Sequence, residues 1–370
     1  MSIHLFKHNQ QAYRAVTAML EKEKMAAVIH PTGTGKSLIA FKLAEENPSK
    51  HFLWLSPSEY IYQTQLEKLN MKFPNIQFMS YSRLMKNEDS IETLHPDYII
   101  LDEFHRCGAQ EWGKSVRKLL DTYPNAKRLG LSATNIRYLD NQRNMAEEIF
   151  DGKIASEMTL GEAIVREILP EPKYVIAMYS YQKELEQLKK RIRTLSNQGL
   201  ITENQKLLEQ LRRALEHADG LELVFKKHMT KKNGKYIVFC SDKEHMDEMK
   251  EQVSTWFRQV DPSPHVYTAF YSDAATGREF TAFKKDDSKH LKLLFCIDML
   301  NEGIHVDDVD GVILLRPTVS PIIYLQQIGR ALSAGSEKTP VIFDLVNNFD
   351  SLYCLSLIHI SEPTRLLSIS

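Results

Sequence analysis

The chain has 370 residues, which is enough for two domains of ordinary size. Hydrophobic residues make up 43% of it and charged residues 26%, as in a soluble globular protein. The formal net charge of -1 argues mildly against a protein that binds nucleic acid through a basic field over its whole surface, but not against one whose positive charge is confined to a cleft.

Cysteine usage and the N-terminal sequence predict a cytoplasmic protein. Cys107, Cys240, Cys296 and Cys354 are not paired at the spacing of a zinc site, and Cys240 and Cys296 lie in strand-like apolar runs. We therefore expect buried free thiols in a reducing compartment. The first residues do not form a signal-peptide pattern, and no apolar run is long enough to cross a bilayer, so no membrane partner is expected.

The first functional pattern is a glycine-bearing loop, HPTGTGKS at residues 30–37, between an apolar run at 25–29 and a helix-like segment at 38–44. This strand, loop and helix order is the context of a phosphate-binding P-loop. Glycine lets backbone N–H groups approach the phosphates, and the helix N-terminus adds partial positive charge. Lys36 is predicted to reach the β- and γ-phosphates and the Ser37 hydroxyl to hold Mg²⁺. The predicted nucleotide-binding residues of the loop are Thr32, Gly33, Thr34, Gly35, Lys36 and Ser37, and His30 stands where the pattern usually has Gly or Ala.

The next strong pattern is an apolar strand that ends in two acids, YIILDEFH at residues 98–105. Asp102 is predicted to hold Mg²⁺, directly or through water, and Glu103 to orient and deprotonate the attacking water. A lone Asp-Glu pair would be better interpreted as a solvated acidic turn. The P-loop upstream, at domain-scale spacing, favours an NTPase site.

Strand-like and helix-like segments alternate along the chain, which predicts parallel α/β sheets. The strand-like runs are 27–29, 52–55, 76–79, 98–101 and 129–131 in the first half, and 236–239, 265–267, 291–296, 312–315 and 341–343 in the second. The functional motifs follow the C-terminal ends of strands, where open α/β sheets bind ligands. Trp54, within one of these runs, is predicted to be a core residue, with base stacking as the alternative.

A charged, helix-forming segment from residue 181 to about 229 separates the halves. Two antiparallel helices fit this pattern. It is equally consistent with a spacer that has a solvated charged face and with a nucleic-acid or partner contact. The basic residues that would make such a contact are Lys189, Lys190, Arg191, Arg193, Arg212 and Arg213.

Seven segments in this order resemble the superfamily 2 DExH-type helicases, and the bacterial restriction-type Res group in particular. They are NQQ at 9–11, HPTGTGKS at 30–37, SPS at 56–58, DEFH at 102–105, LSAT at 131–134, NEGIHV at 301–306 and QQIGR at 326–330. The resemblance implies two RecA-like parallel-sheet lobes, at residues 1–165 and 233–354, with a linker and helical hairpin insertion at 166–232. It also implies ATP and Mg²⁺.

Further residue roles follow from the resemblance alone. Gln10 would favour adenine, and Arg330 would act as an arginine finger from the second lobe, together with Gln326. The residues implied to couple nucleotide state to nucleic acid are His105, Ser132, Thr134 and Gly303. Two positions depart from the family pattern: Ser333 replaces a second arginine, and His305 replaces an acidic residue.

The expected function is an ATP-dependent helicase or translocase on nucleic acid, with DNA favoured over RNA and a nuclease or specificity subunit or domain as a partner. A nucleic-acid-stimulated ATPase that does not separate strands is one alternative, and a catalytically decayed binding module is another. Lys36, Asp102, Glu103 and Arg330 argue against decay, which only Ser333 supports. Residues 355–370 resemble a translated sequencing adapter and are expected to be non-native.

Overall fold

The computed structural model describes residues 2–57, 66, 69–109, 112–137, 143–176, 221–229, 231–270, 276–297, 308–316, 321–336, 338–346 and 348. The chain forms two compact units. Unit 1 consists of Met1–Glu171, Met299–Asp307 and Leu325–Thr339, and unit 2 consists of Pro172–Asp298, Asp308–Tyr324 and Pro340–Ser370. Most of the predicted helical insertion lies outside the described residues, as do Ser58, Gly303, His305, Cys354 and the adapter-like tail.

Unit 1 is built on a six-stranded sheet in the order β3-β2-β4-β5-β1-β8, in which every pairing is parallel. Its strands are β1 (Met25–Ile29), β2 (Phe52–Ser56), β3 (Ile76–Ser80), β4 (Tyr98–Asp102), β5 (Lys127–Ser132) and β8 (Ile154–Glu157), and a separate antiparallel ribbon joins β6 (Ile136–Arg137) to β7 (Arg143–Asn144). Its helices are α1 (Lys7–Lys22), α2 (Ser37–Glu46), α3 (Tyr81–Lys86), α4 (Trp112–Thr122), α5 (Met145–Phe150) and α6 (Leu160–Val165), with short 3₁₀ helices at Glu88–Thr93 and Phe104–Gly108.

The sheet of unit 1 is covered on both faces, because every residue of β2 and of β4 is buried. One face packs against α1 and α2, and Ala12, Val16 and Leu20 of α1 are buried at the helical spacing of one stripe. On the other face, Phe104 and Phe150 pack with their ring centroids 5.1 Å apart. Because β4, β5 and β1 are parallel neighbours, their carboxyl ends lie side by side.

Unit 2 contains a second parallel sheet of six strands, in the order β11-β12-β10-β13-β14-β9. Its strands are β9 (Lys173–Ile176), β10 (Lys235–Phe239), β11 (His265–Ala269), β12 (Lys292–Cys296), β13 (Gly311–Leu314) and β14 (Val341–Asp344). Its helices are α7 (Leu221–His228), α8 (Lys243–Glu251), α9 (Val253–Trp256) and α10 (Thr276–Lys285), and α11 (Pro321–Gly329) lies across the point at which the chain returns to unit 1. Phe225, Phe257 and Phe343 lie at the centre of its core.

The prediction of two RecA-like parallel-sheet lobes is confirmed by these two sheets. Cys107, Cys240 and Cys296 are free and buried, as expected. Among the described helices, none combines the length and apolar character that a membrane span requires.

Candidate nucleotide-binding site

The loop at residues 30–36 connects the carboxyl end of β1 to the start of α2 in unit 1. β1 occupies an inner position of the sheet, between β5 and β8, so both sides of the loop are supported. Gly33 and Gly35 have φ angles of 88° and 78°, a region that favours glycine. The loop therefore has the strand, turn and helix geometry that the sequence predicts for a phosphate-binding loop.

Lys36 lies inside the site, where it is only 9% exposed. Its Nζ donates a hydrogen bond to the Pro31 carbonyl over 3.1 Å, and the Thr34 hydroxyl donates to the same carbonyl over 2.8 Å. Burial lowers the pKa of Lys36, while the charges of Glu103 and Asp102 oppose that shift. The ammonium group is thus enclosed by its own loop and electrostatically linked to both acids.

Asp102 is the last residue of β4, and Glu103 follows it with a φ of 52° in the left-handed region, just before the 3₁₀ helix. Burial, together with the neighbouring Glu103 charge, raises the pKa of Asp102 to about 7. Burial has the same tendency at Glu103, but Lys36, His105 and Arg330 outweigh it and hold the pKa of Glu103 below its usual value. Of the two acids, Glu103 is therefore the one stabilised as a carboxylate.

His105 contacts the Ser-Ala-Thr segment that follows β5. Its Nδ1 lies 2.8 Å from the Ser132 hydroxyl and 3.4 Å from a carboxylate oxygen of Glu103. The Ser132 hydroxyl also accepts a hydrogen bond from the Thr134 backbone N–H over 3.2 Å. A continuous path of polar contacts thus connects Glu103 to Thr134 through His105 and Ser132. The coupling role of this path stays a prediction.

The segment around Arg330 belongs to unit 1 by its contacts. Gln326 and Arg330 are 6% and 3% exposed. The Arg330 charge contributes to lowering the pKa of both Lys36 and Glu103, so it acts on the same site. Four residues later, the Ala334 N–H donates to the Gly33 carbonyl over 2.9 Å.

Asn9, rather than Gln10, contacts the P-loop. The Asn9 side chain is fully buried, and its Nδ2 donates to the carbonyls of Thr34 and Gly35 over 2.8 and 3.2 Å. Gln10 is exposed and donates to the Leu5 carbonyl. Adenine recognition by Gln10 stays a prediction, but sequence reasoning missed Asn9. The sequence offered a partial signal, the polar run NQQ at residues 9–11. Which of these residues faces inward depends on the rotation of α1 about its axis.

The histidine at the first position of the loop is accommodated by a partner on β8. His30 is 2% exposed, and its Nε2 lies 2.8 Å from the Ser156 hydroxyl. Burial lowers its pKa to about 3, with a smaller contribution from the Lys36 charge, so the imidazole is neutral near pH 7. A neutral side chain at this position leaves the positive charge of the loop to Lys36.

Magnesium was predicted at Ser37 and Asp102, and those residues supply oxygen donors of the kind that a hard cation prefers. Across the part of the chain that the structure describes, no three histidine, cysteine, aspartate or glutamate side chains converge as a metal-binding group. A site of one carboxylate and one hydroxyl is consistent with that finding, because Mg²⁺ is commonly held by one or two carboxylates together with substrate phosphates.

Two RecA-like sheets, a P-loop and an Asp-Glu strand end define the class of helicase-type NTPases. Comparison with known families gives the same class. The family described as "Type III restriction enzyme, res subunit" matches residues 2–77 and 64–137, and the family described as "Helicase conserved C-terminal domain" matches residues 213–335. Together the two matches cover most of the chain and support a superfamily 2 helicase of the restriction-type Res group.

Individual relatives are distant. A 51.5 kDa protein of a Lactococcus phage (isolate 7-9) is 23% identical over 333 residues, which cover 86% of this chain and 65% of that protein. The chain thus spans about two thirds of the length of this relative.

Solved structures share the fold. The DNA-bound Type ISP restriction-modification enzyme LlaBIII is 19% identical with a TM-score of 0.60, over 93% of this chain and 28% of the other. A fragment of a putative HsdR subunit of a type I restriction enzyme from Vibrio vulnificus YJ016 is 20% identical with a TM-score of 0.62, over 93% and 64%. The Escherichia coli helicase HrpB is 12% identical with a TM-score of 0.60, over 94% and 43%.

Proposed function

We propose that this protein is an ATP-driven motor that moves along nucleic acid, with DNA favoured over RNA. The observation that carries the proposal is the mutual electrostatic influence of Lys36, Glu103 and Arg330 around the P-loop. A lysine, a carboxylate and an arginine acting on one buried site are the parts required for phosphoryl transfer to water. A decayed binding module would not need to keep three charged side chains this close in a buried site.

Each residue has a distinct role in the proposed hydrolysis. The loop N–H groups and Lys36 bind the phosphates, and Ser37 and Asp102 hold Mg²⁺. The cation, when bound, neutralises charge that develops on the phosphate oxygens. Glu103 orients the attacking water and accepts its proton, since its lowered pKa keeps it a carboxylate near pH 7. Arg330 stabilises the charge of the transition state.

The contacts of Ser132 support a proposed link from the nucleotide site to the nucleic acid. A change at Glu103 on hydrolysis would alter the hydrogen bond between His105 and Ser132, and through it the backbone at Thr134. We propose that this path, together with Gly303, converts nucleotide state into movement.

DNA as the track rests on the relatives. LlaBIII is described as bound to DNA, and the Vibrio vulnificus protein as part of a type I restriction enzyme. By analogy, a nuclease or specificity subunit is the proposed partner, and a cytoplasmic location goes with that role. Because the chain covers 28% of LlaBIII, the work done by the rest of such an assembly is part of the proposal.

The test is nucleotide binding and steady-state ATP hydrolysis by three variants. Lys36→Ala should abolish hydrolysis because the phosphates lose the positively charged ammonium group of the lysine. Glu103→Gln should bind ATP normally and lose turnover by about a hundredfold or more, as expected when a positioned general base is removed. Lys22→Ala is the control, because Lys22 is 83% exposed on α1 and should leave both quantities unchanged. Near-normal turnover by Glu103→Gln would contradict the assigned role.

A further inference from the structure

Trp54 and Asp102 lie on the same face of the unit 1 sheet. Trp54 of β2 is paired in register with Ile100 of β4. Asp102 is two residues beyond Ile100, and alternate residues of a strand share a face. With strands about 4.8 Å apart and about 3.3 Å per residue, the two Cα atoms are roughly 8 Å apart, within reach of an indole ring. The tryptophan therefore approaches the acid diagonally from the neighbouring strand.

The indole ring is fixed by aromatic neighbours. Trp54 is 1% exposed, and its ring centroid lies 4.7 Å from that of Phe41 and 5.6 Å from that of Phe78. A fully buried ring packed against two aromatic neighbours has little freedom to turn, so the direction of its N–H group is set by packing.

The N–H group of Trp54 is a buried donor near Asp102. Among the described residues, its Nε1 is buried and has no partner that satisfies full hydrogen-bond geometry. The N–H lies beside the Asp102 carboxyl group and interacts favourably with its charged form. A buried donor without a full partner is unfavourable, and phenylalanine would fill much the same space without that cost. Packing alone thus does not account for a tryptophan at this position.

We propose that Trp54 is a positioning residue of the nucleotide site, which donates its indole N–H to the Asp102 carboxylate and holds it in the orientation that binds the divalent cation. This inference rests on the proposed ATPase function. The lysine side of the site, Lys36 and its loop, is independent of Trp54 and binds the phosphates with or without the cation. Loss of the indole N–H should therefore weaken binding of metal–nucleotide selectively.

The experiment compares Trp54→Phe with Trp256→Phe. Trp256 is 5% exposed and packs on Phe225 in unit 2, so the control removes an equally buried indole away from Asp102. Calorimetry would measure the affinity of each protein for a non-hydrolysable ATP analogue with Mg²⁺ and with EDTA. Trp54→Phe should lose about tenfold in affinity with Mg²⁺, the expected effect of removing a hydrogen bond to a charged group, and should match the wild type in EDTA. Trp256→Phe should match the wild type in both.

The outcomes separate this inference from the proposed function. If the wild type binds the analogue in a Mg²⁺-dependent way and Trp54→Phe binds within twofold of it, the positioning role is overturned and the ATPase proposal stands. An equal loss with Mg²⁺ and with EDTA would show a packing role only, and would also overturn it. If the wild type does not bind the analogue, both proposals fail.

A second readout uses the indole itself. The chain has three tryptophans, so replacing Trp112 and Trp256 by phenylalanine leaves Trp54 as the only indole fluorophore. Its emission should change when Mg²⁺ is added to the nucleotide-bound protein, because the cation places positive charge on the carboxylate that accepts its N–H. An emission spectrum that does not respond to Mg²⁺ would contradict the proposed hydrogen bond.

Discussion

At the residue scale, the site depends on side chains whose environment sets their chemistry. Asp102 and Glu103 are adjacent and both acidic, yet burial raises the pKa of Asp102 to about 7, while Lys36, His105 and Arg330 overcome burial at Glu103 and lower its pKa. The left-handed backbone of Glu103 directs the two acids differently from a regular strand. The two adjacent acids thus differ in how readily they are protonated, and Glu103 is the one held as a carboxylate.

The Asn9 side chain supports the P-loop through two hydrogen bonds to its backbone. Asn9→Ala should weaken nucleotide binding about tenfold, because two carbonyls of the loop, those of Thr34 and Gly35, lose a buried donor. Gln10→Ala removes an exposed amide from the next position of α1 and should change affinity less than twofold. Equilibrium binding of ATP and GTP to both variants would check this. A larger effect of Gln10→Ala, specific for ATP, would restore Gln10 as the adenine-reading residue.

At the element scale, the P-loop is supported by elements far apart in the chain. The start of α1 reaches it through His8 and Asn9, and His8 Nε2 lies 2.8 Å from the Thr34 carbonyl. The segment after α11 covers the other side: a Cβ built on Gly33 would lie 2.0 Å from the Leu332 carbonyl oxygen, and one on Gly329 would lie 3.0 Å from Thr32. Gly33 is thus required by a backbone neighbour as well as by its φ of 88°.

Gly33→Ala should therefore destabilise unit 1 by about 1–3 kcal/mol, from left-handed strain and displacement of the Leu332 segment. The matched control is Gly161→Ala in α6, where an added Cβ meets nothing within 4 Å. That change should be neutral or stabilise by up to about 1 kcal/mol, as for a helical Gly→Ala. Urea unfolding of both variants measures the difference. Equal stabilities would mean that the segment after α11 does not press on Gly33.

At the scale of the whole molecule, the net charge of -1 leaves little long-range attraction for a polyanion. A motor with this charge balance must contact its track through a local surface. Such a surface neutralises few phosphates and releases few counterions.

We accordingly expect DNA to stimulate ATP hydrolysis, with an apparent affinity that falls with salt. The log–log slope should lie between about -2 and -5, as for a handful of phosphate contacts. Titrations of duplex and single-stranded DNA, and of RNA, at several salt concentrations would measure it, with hydrolysis in the absence of nucleic acid as the control for direct salt effects. Rates that do not respond to any of these nucleic acids would contradict a nucleic-acid motor.

The sequence predicted ten strands of the two main sheets, β1 to β5 and β10 to β14, because buried parallel strands are continuous apolar runs. It missed β8 (IASE) and β9 (KYVI), which are four-residue strands at sheet edges with few buried residues. The order of the strands within each sheet could not be predicted from the sequence, since a hydrophobic pattern indicates burial but not which strands pair.

For the candidate site, the sequence by itself determined the phosphate-binding loop and the acidic strand end, since both are local patterns whose spacing follows from one strand, one turn and one helix. Only the tertiary structure decided the long-range contacts. Successive residues of a helix differ by about 100° around its axis, so placing Asn9 inward and Gln10 outward requires the packing of α1. Likewise, His30 meets Ser156 and Trp54 approaches Asp102 only because parallel strands distant in sequence lie side by side.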